Sequence, residues 1–498
     1  MLINDKAMPK NKPTEFAQNF TSLPHEFYTL VMPEPMKQAR LVHHNTNLAA
    51  ELGLNITKET LFDMTTGQSF PQGLEPLAQK YTGHQFGYYN PDLGDGRGVL
   101  LGQLTDSHGQ QWDLHLKGSG KTPYSRRGDG RAVLRSAVRE YLIGEALDAL
   151  GIPTTRCLSL CSSPEPVRRE QIEPRATYIR VAKTHIRFGH FEWLAQKGDI
   201  TQQKQLADYV IKTVYPELLS YVDSESRYGE LLKTITRNTG SLIAGWQSVG
   251  FCHGVMNTDN MSVAGETFDF GPYAFLDDCQ IHHICNHSDT EGRYAYSQQP
   301  NIGLWNCQVL AQAFSQLVSA HAIEEAIDIY INTFNQQYLL KMGYKFGLIE
   351  PTPDDKHFIA DTLILLDKSG LDFHYFFHLL RFFNDENPAH QQMFKDFILE
   401  SREWQLWQEN YQKRIAKQSE SARQERIAQS APQTVLRNYI AQEIIDATEN
   451  GNCQPLENWM QWLRTPYQPH DELFHPENHH YLTPPQNCHK GLALSCSS

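Results

Sequence analysis

The sequence predicts an α+β fold with strands gathered in the first half of the chain and helices in the second, and three observations carry this. The runs Val99–Leu104 and Gln111–Lys117 read as strands, the second alternating Trp112, Leu114 and Leu116 with Asp113, His115 and Lys117, the period of a pleated strand. From residue 202 onward the apolar residues recur at helical spacing instead. Strands followed by a run of helices is the order of an α+β chain.

With 498 residues the chain is long enough for a large core and more than one domain, and its apolar content of 40% with 20% charged residues is ordinary for a soluble globular protein. The net charge of −13 argues against general affinity for nucleic acid or anionic membranes, so neither is an expected partner. Nine cysteines with no C-x-x-C pair fit a reducing compartment better than a disulfide framework or a zinc module. Residues 1–20 hold neither an apolar run of signal-peptide length nor an arginine, and no stretch approaches about 18 uninterrupted apolar residues. A cytoplasmic protein is expected.

Residues 1–80 carry little beyond a helical pattern from Met36 to Gly53. From Tyr81 the chain turns rich in glycine and aromatics, and Gly94, Gly96 and Gly98 bracket Asp95 and Arg97 ahead of the first strand. Glycines let backbone amides approach an anion and Arg97 adds a guanidinium, so this turn is a phosphate-binding candidate. Lys117 ends the second strand on the face opposite its apolar residues. The Gly-Ser-Gly-Lys-Thr that follows imitates a P-loop, but His115 stands where the first glycine of that motif belongs, which excludes it. Gly-Asp-Gly-Arg recurs at 128–131, making the turn with Asp129 and Gly130 a second phosphate-facing candidate.

A helix is predicted from Arg131 to Leu150, with Leu134, Val138, Tyr141, Leu142 and Leu147 as its apolar stripe and Gly151 and Pro153 as its stop. Arg127, Arg131, Arg135 and Arg139, four apart, read as a solvated basic ridge, and Glu140 sits mid-helix. Strands at Thr154–Leu160 and Ala176–Ala182 follow, with Arg180 on the second and Arg187 entering a helix near Phe188. Guanidinium groups buried there require an anion, and a triphosphate supplies one. Helical patterns then fill Gln202–Val222 and Tyr228–Val249.

The rest is organised around His253–Gly271, HGVMNTDNMSVAGETFDFG. Protein kinases carry His-x-Asp and then Asn in the catalytic loop, and a later Asp-Phe-Gly supplies a second metal-binding carboxylate. His253 and Asn260 keep that spacing and Asp269 opens Asp-Phe-Gly, but Val255 stands where the kinase base would be. Asp259, beside Asn260, becomes the base candidate, and Asn260 and Asp269 the metal-ligand candidates. Strand lysine Lys117, helix glutamate Glu140, loop and Asp-Phe-Gly follow in the order of a protein-kinase-like, two-lobed fold, with Lys117 and Glu140 as its structural ion pair. This predicts nucleotide chemistry altered from ordinary phosphorylation. His282, His283, Cys285 and His287 lie close together, but at the spacing of no standard zinc module. From Trp305 the pattern is mostly helical, including Ala360–Phe383 and Thr434–Glu449 around a charged stretch at 400–430.

KYTGHQFGYYNPDLGDGRG, LHLKGSGKTPYSRRGDGRAVLRSAVREYL, HGVMNTDNMS, DFGPYAFLDD and the terminal Cys-Ser-Ser together resemble the SelO (selenoprotein O, YdiU-like) protein adenylyltransferases, a pseudokinase family, over most of the chain. The resemblance implies a two-lobed kinase-like fold that binds ATP in a flipped orientation and transfers AMP to Ser, Thr or Tyr hydroxyls of proteins, releasing pyrophosphate. It implies that Gly94, Gly96, Arg97, Lys117, Asp129, Gly130, Arg180 and Arg187 contact the nucleotide. It further implies that Asn260 and Asp269 hold Mg2+ or Mn2+ and that Asp259 accepts the proton. Some members carry selenocysteine at the position of Cys496, and the family suggests a redox pair between this tail residue and a cysteine near the active site, Cys285 matching best and Cys279 staying open. The expected division is an N-terminal extension (1–80), an N-lobe (81–200), a C-lobe with loop and Asp-Phe-Gly (201–345) and a C-terminal helical extension (346–498). Alternatives are a UTP-using protein uridylyltransferase, a kinase-type phosphotransferase and a non-catalytic nucleotide-binding scaffold.

Overall fold

A computed structural model describes residues 13–492. In chain order, β1 (Phe16–Ala17), β2 (Tyr28–Leu30) and β3 (Arg40–His44) precede two short helices, α1 (Thr46–Glu51) and α2 (Lys58–Thr66). Strands β4 (Leu77–Gln85), β5 (Tyr88–Gly94), β6 (Gly98–Thr105), β7 (Gln111–Lys117) and β8 (Ala132–Val133) lead into helix α3 (Leu134–Ala149). The long hairpin β9 (Arg156–Arg168) and β10 (Ile172–Ala182) completes a ten-stranded sheet ordered β2-β4-β6-β7-β10-β9-β3, with β1 beside β6, β5 beside β4 and β8 beside β10. Every pairing is antiparallel. The chain is thus α+β, a large antiparallel sheet followed by helices.

Alternation along the strands gives the sheet two dry faces. Leu114, Leu116, Ile179 and Val181 pack with Leu48, Leu61 and Met64 of α1 and α2 on one side. Tyr178 and Leu100 join Val138, Tyr141 and Leu142 of α3 on the other. Full burial of each such aliphatic side chain is worth about 1.5–3 kcal/mol, so α3 is held by its stripe and not by intrinsic helix preference. In the β7–β10 register, Lys117 faces Tyr178 and His115 faces Arg180, which sets these four side chains on the α3 side.

After the sheet come α4 (Phe188–Lys197), α5 (Ile200–Val214) and α6 (Ser224–Ser248). Asp199 and Asp223 cap α5 and α6 by accepting the amides of Gln202 and Ser226. A helix expected to reach Val222 stops at Val214, because Pro216 has no amide to donate and starts a separate 3-10 turn. The two-residue strands β11 (Phe251–Cys252) and β12 (Ala274–Phe275) pair and so close a loop over residues 253–273. Helices α7 (Gln299–Ala313) and α8 (Ala320–Lys345) follow, and helices between residues 355 and 464 enclose an aromatic cluster of Phe346, Phe373, Phe376, Trp404, Trp407 and Tyr411. Among the described residues no helix is long and apolar enough to cross a membrane.

One early element departs from expectation. The helical pattern at Met36–Gly53 resolves into strand β3 and the six-residue α1, divided by Asn45, whose side chain caps α1. Residues 40–44 pair with 159–162 of β9, a tertiary contact that overrides local periodicity.

Candidate active site

The loop closed by β11 and β12 carries a 3-10 turn, Thr258–Asn260, and then Asp269, the two places where the sequence concentrates carboxylates. Both face a cleft of about 1080 Å³ whose walls include Gly94–Gly98, His115, Lys117, Arg126–Arg131, Arg180, Arg187, Val255 and Asn257. All the residues expected to contact nucleotide or metal line this one cavity, with Asp259, Asn260 and Asp269.

At its floor is a buried charge network. Lys117 Nζ lies 2.8 Å from Glu140 Oε2 and 2.8 Å from Asp269 Oδ1. Arg180 Nη2 donates to Glu140 Oε1 at 2.5 Å and to Asp269 Oδ1 at 2.6 Å, while Arg187 Nη1 donates to Asp269 Oδ2 at 2.7 Å and to the carbonyl of Asp259 at 2.8 Å. Burial alone would raise both carboxyls, but Arg180 and Lys117 hold Glu140 at about 2, and these two with Arg187 hold Asp269 well below the usual range. Asp269 reaches these partners from a left-handed backbone conformation, φ 53°, a strain of order 1 kcal/mol that the three cations offset. The pairing Lys117–Glu140 expected from the sequence is present.

Asp259 is in the opposite electrostatic state. It is 7% exposed, Oδ1 has no hydrogen-bond partner, and Oδ2 accepts only a long 3.3 Å bond from Gln85. Burial pushes its carboxyl up to about 7 against the pull of Arg187. Two acids ten residues apart are thereby separated into a permanent anion and a group poised to exchange a proton near neutrality. Asn260 donates Nδ2 to the carbonyl of Val255 at 3.1 Å, which fixes which end of its amide is the acceptor.

The glycines act by permitting contact. A Cβ on Gly94 would fall 2.5 Å from the Tyr124 ring, and one on Gly130, at φ 70°, 1.9 Å from the carbonyl oxygen of Gly120. These contacts lay both Gly-Asp-Gly-Arg turns against the segment between them, at Gly120 and Tyr124. Asp129 is held by Arg169 through two bonds of 2.9 and 3.0 Å. The supposed arginine ridge is not one surface. Arg131 pairs with Glu34 and Arg135 with Glu173, while Arg139, 2% exposed, donates to the carbonyl of Tyr273 and stacks on its ring.

Several residues that complete the cleft carry no motif. Tyr81 and Phe268 flank the Arg187 guanidinium at 4.5 and 4.2 Å. Tyr178 donates to Glu140 Oε2 at 2.5 Å, and Asp95 lies 3.4 Å from His115 Nε2 and 3.6 Å from Arg187 Nη2. Strand β4 grips the 3-10 turn: His84 donates its amide to Thr258 Oγ1 at 2.7 Å, and Gly83 leaves only 3.1 Å between its missing Cβ and that of Asp259. The glycines and aromatics of residues 81–89 stand out in composition, but the partners of this grip are set by tertiary pairing.

No group of three or more His, Cys, Asp and Glu side chains able to hold a metal occurs among the described residues. The clustered histidines bond elsewhere, His282 to Ser297 and His283 to Gln280. Cys285 is buried with its Sγ 3.3 Å from Cys252 Sγ, Cys279 is buried against the carbonyl of Leu363, and Cys496 lies outside the described residues.

The chain is 52% identical over 488 residues to the protein nucleotidyltransferase YdiU of Hydrogenovibrio crunogenus, covering 96% of this chain and 99% of that one. It is 43% identical to the protein of that name from Vibrio atlanticus and 41% to the one from Pseudomonas fluorescens, each covering 97% of this chain and 98% of the relative. A cationic cleft with a segregated acid pair, on this fold and with these relatives, defines an enzyme of the nucleotidyltransferase class. A family profile described as protein adenylyltransferase SelO matches residues 11–464, and the chain belongs to that family.

Proposed function

We propose that the enzyme transfers AMP from ATP to Ser, Thr or Tyr hydroxyls of proteins, with release of pyrophosphate. The observation that carries this reading is the convergence of Lys117, Arg180 and Arg187 on Asp269 in the same cleft that holds the raised acid Asp259. In this reading the fold is kinase-like and two-lobed, residues 81–200 and 201–345 forming the lobes between extensions 1–80 and 346–498. The nucleotide lies flipped, with Gly94, Gly96, Arg97, Lys117, Asp129, Gly130, Arg180 and Arg187 around its phosphates. The acceptor oxygen bonds to the α-phosphorus as the bond from that phosphorus to the bridging oxygen of pyrophosphate breaks, and Asp259 takes the hydroxyl proton. The cations neutralise charge on the leaving pyrophosphate.

A divalent ion fits the donors present. Asp269 is ionised, Asn260 presents a fixed amide, and the neighbouring Asp259 keeps a buried oxygen with no partner, a hard-oxygen set that leaves further positions to phosphate and water. Asn260 and Asp269 would hold Mg2+ or Mn2+, which when bound offsets negative charge on the phosphate oxygens. The relatives' name, protein nucleotidyltransferase, leaves the base open, so UTP is tested beside ATP. Incubation with ATP labelled on the α- or on the γ-phosphate, and with α-labelled UTP, followed by gel autoradiography, decides the matter. Label is expected on protein from α-labelled ATP alone. Transfer from the γ-position would return the enzyme to kinase chemistry, stronger label from UTP would make it a uridylyltransferase, and no label with intact ATP binding would make it a scaffold.

A further inference from the structure

A second cavity, about 480 Å³, adjoins the same turn through the next residue of β4, for Gln85 lines the nucleotide cleft and His84 lines this one. Its polarity is the reverse of the cleft's. The walls, from α4, α5 and α7, hold no lysine or arginine but several amides, among them Gln196, Gln203, Gln308 and Gln312, and one carboxylate, Glu192. Glu192 is 4% exposed. Its Oε2 is taken by His84 Nδ1 at 2.5 Å, while Oε1 is buried with no hydrogen-bond partner. The lysine of the same helix, Lys197, is committed to Glu26. A buried carboxylate oxygen without a donor is costly unless something cationic supplies one, and the surrounding amide oxygens add acceptors for a flat, many-donor group. Burial raises the Glu192 carboxyl, with the Thr258 hydroxyl and His84 opposing it.

We propose that this cavity is a specificity subsite that takes an arginine side chain of the acceptor protein, its guanidinium on Glu192, and so registers the modified hydroxyl against Asp259. The connection is short: His84, bonded to Glu192, gives its amide to Thr258, the residue before Asp259. The cavity volume lies within the range of small-ligand sites and exceeds what one guanidinium and its stem fill, leaving room for flanking backbone. The assignment to an acceptor rests on the transfer reading above, whereas the preference for a guanidinium does not.

The test therefore has two arms. Without nucleotide, Nα-acetyl-arginine amide is titrated by calorimetry against its neutral isostere Nα-acetyl-citrulline amide. The arginine compound is expected to bind about tenfold or more tightly, as a charge-assisted bond to a buried carboxylate requires. Glu192→Gln should bring the two to parity. Gln312→Arg, an exposed position on the cavity wall, should do so by tethering a competing guanidinium, and it decides the matter if Glu192→Gln fails to fold. Equal binding of the two amides, or a preference that survives Gln312→Arg, overturns the site. In the second arm, a labelled peptide acceptor with its arginines replaced by citrulline should show a raised KM at unchanged kcat, and an unchanged KM removes the acceptor from the assignment. Arginine binding with no AMP transfer to any acceptor would sink the transfer reading and leave the guanidinium site standing.

Discussion

Asp259 and Asp269 sit in one loop and differ in what their oxygens touch: Asp269 has both taken by cations, and Asp259 keeps Oδ1 unpartnered. Asp259→Asn removes a proton acceptor without removing a structural bond, so nucleotidyl transfer should fall by about 100-fold or more while the thermal midpoint holds. A variant with near-normal turnover would take the base role from this residue. Glu266 gives the pH dependence of stability. Burial raises its carboxyl to about 8 from an ordinary 4.5, with Lys183 only partly offsetting this, so the folded chain keeps a proton that the unfolded chain releases. Its contribution is complete below about pH 4.5 and is lost as pH climbs through about 8. Asp113, raised by burial to about 7, acts in the same direction. Measured by urea unfolding between about pH 5.5 and about pH 8.5, Glu266→Gln should gain about 1 kcal/mol or more on the wild type towards the alkaline end. An identical pH profile in the variant would place the proton elsewhere.

The element that positions the chemistry is β4, through the close approach of Gly83 to the 3-10 turn. Gly83→Ala would bring a Cβ to 3.0 Å from Thr258 Oγ1 and 3.1 Å from the Asp259 amide nitrogen, tighter than ordinary contact. The turn must move, so transfer should drop about tenfold through kcat with nucleotide affinity nearly unchanged, a split that kinetics and calorimetry read separately. Equal loss of both would mean that the strand bears on the nucleotide instead. This grip also marks how far the sequence could be read. Lys117, Glu140 and Asp269 were legible because each stands on a recognisable element in a fixed order, and strand alternation was enough to aim Lys117. Gly83, His84 and Gln85 were not, since their partners lie 174 residues on and only tertiary pairing brings them together. The same holds for Glu192 and for the strand at Arg40–His44, whose partner on β9 outweighs a local helical pattern.

Across the whole molecule, distant segments meet on a few buried acids. Glu145 of α3 accepts Asn45 at 2.9 Å, Arg156 at 2.7 Å and Arg464 at 2.9 Å, tying the start of the chain, the sheet and the last long helix together. Arg437 likewise joins Asp277 and Asp372 at 3.0 and 2.9 Å. Glu145→Ala would remove the acceptor shared by Asn45, Arg156 and Arg464, leaving Arg156 to Glu51 and Asp148 and Arg464 to Asn45, and should lower unfolding free energy by about 2 kcal/mol, measured by denaturant titration. A loss under about 1 kcal/mol would show that the segments hold together by apolar packing alone. Arginines spaced along one face invited a reading as a solvated ridge, and nothing local could reveal that Arg139 would be enclosed by residues 273 and 438. The floor of the cleft shares this long reach. Lys117, Arg180 and Arg187 leave the ribosome between 82 and 152 residues ahead of Asp269. At a synthesis rate of about 5–20 residues per second, a growing chain carries them for roughly ten seconds with the Asp-Phe-Gly counter-charge still untranslated. A prematurely terminated product keeps Glu140 between Lys117 and Arg180 but never gains the second carboxylate, on which all three cations converge.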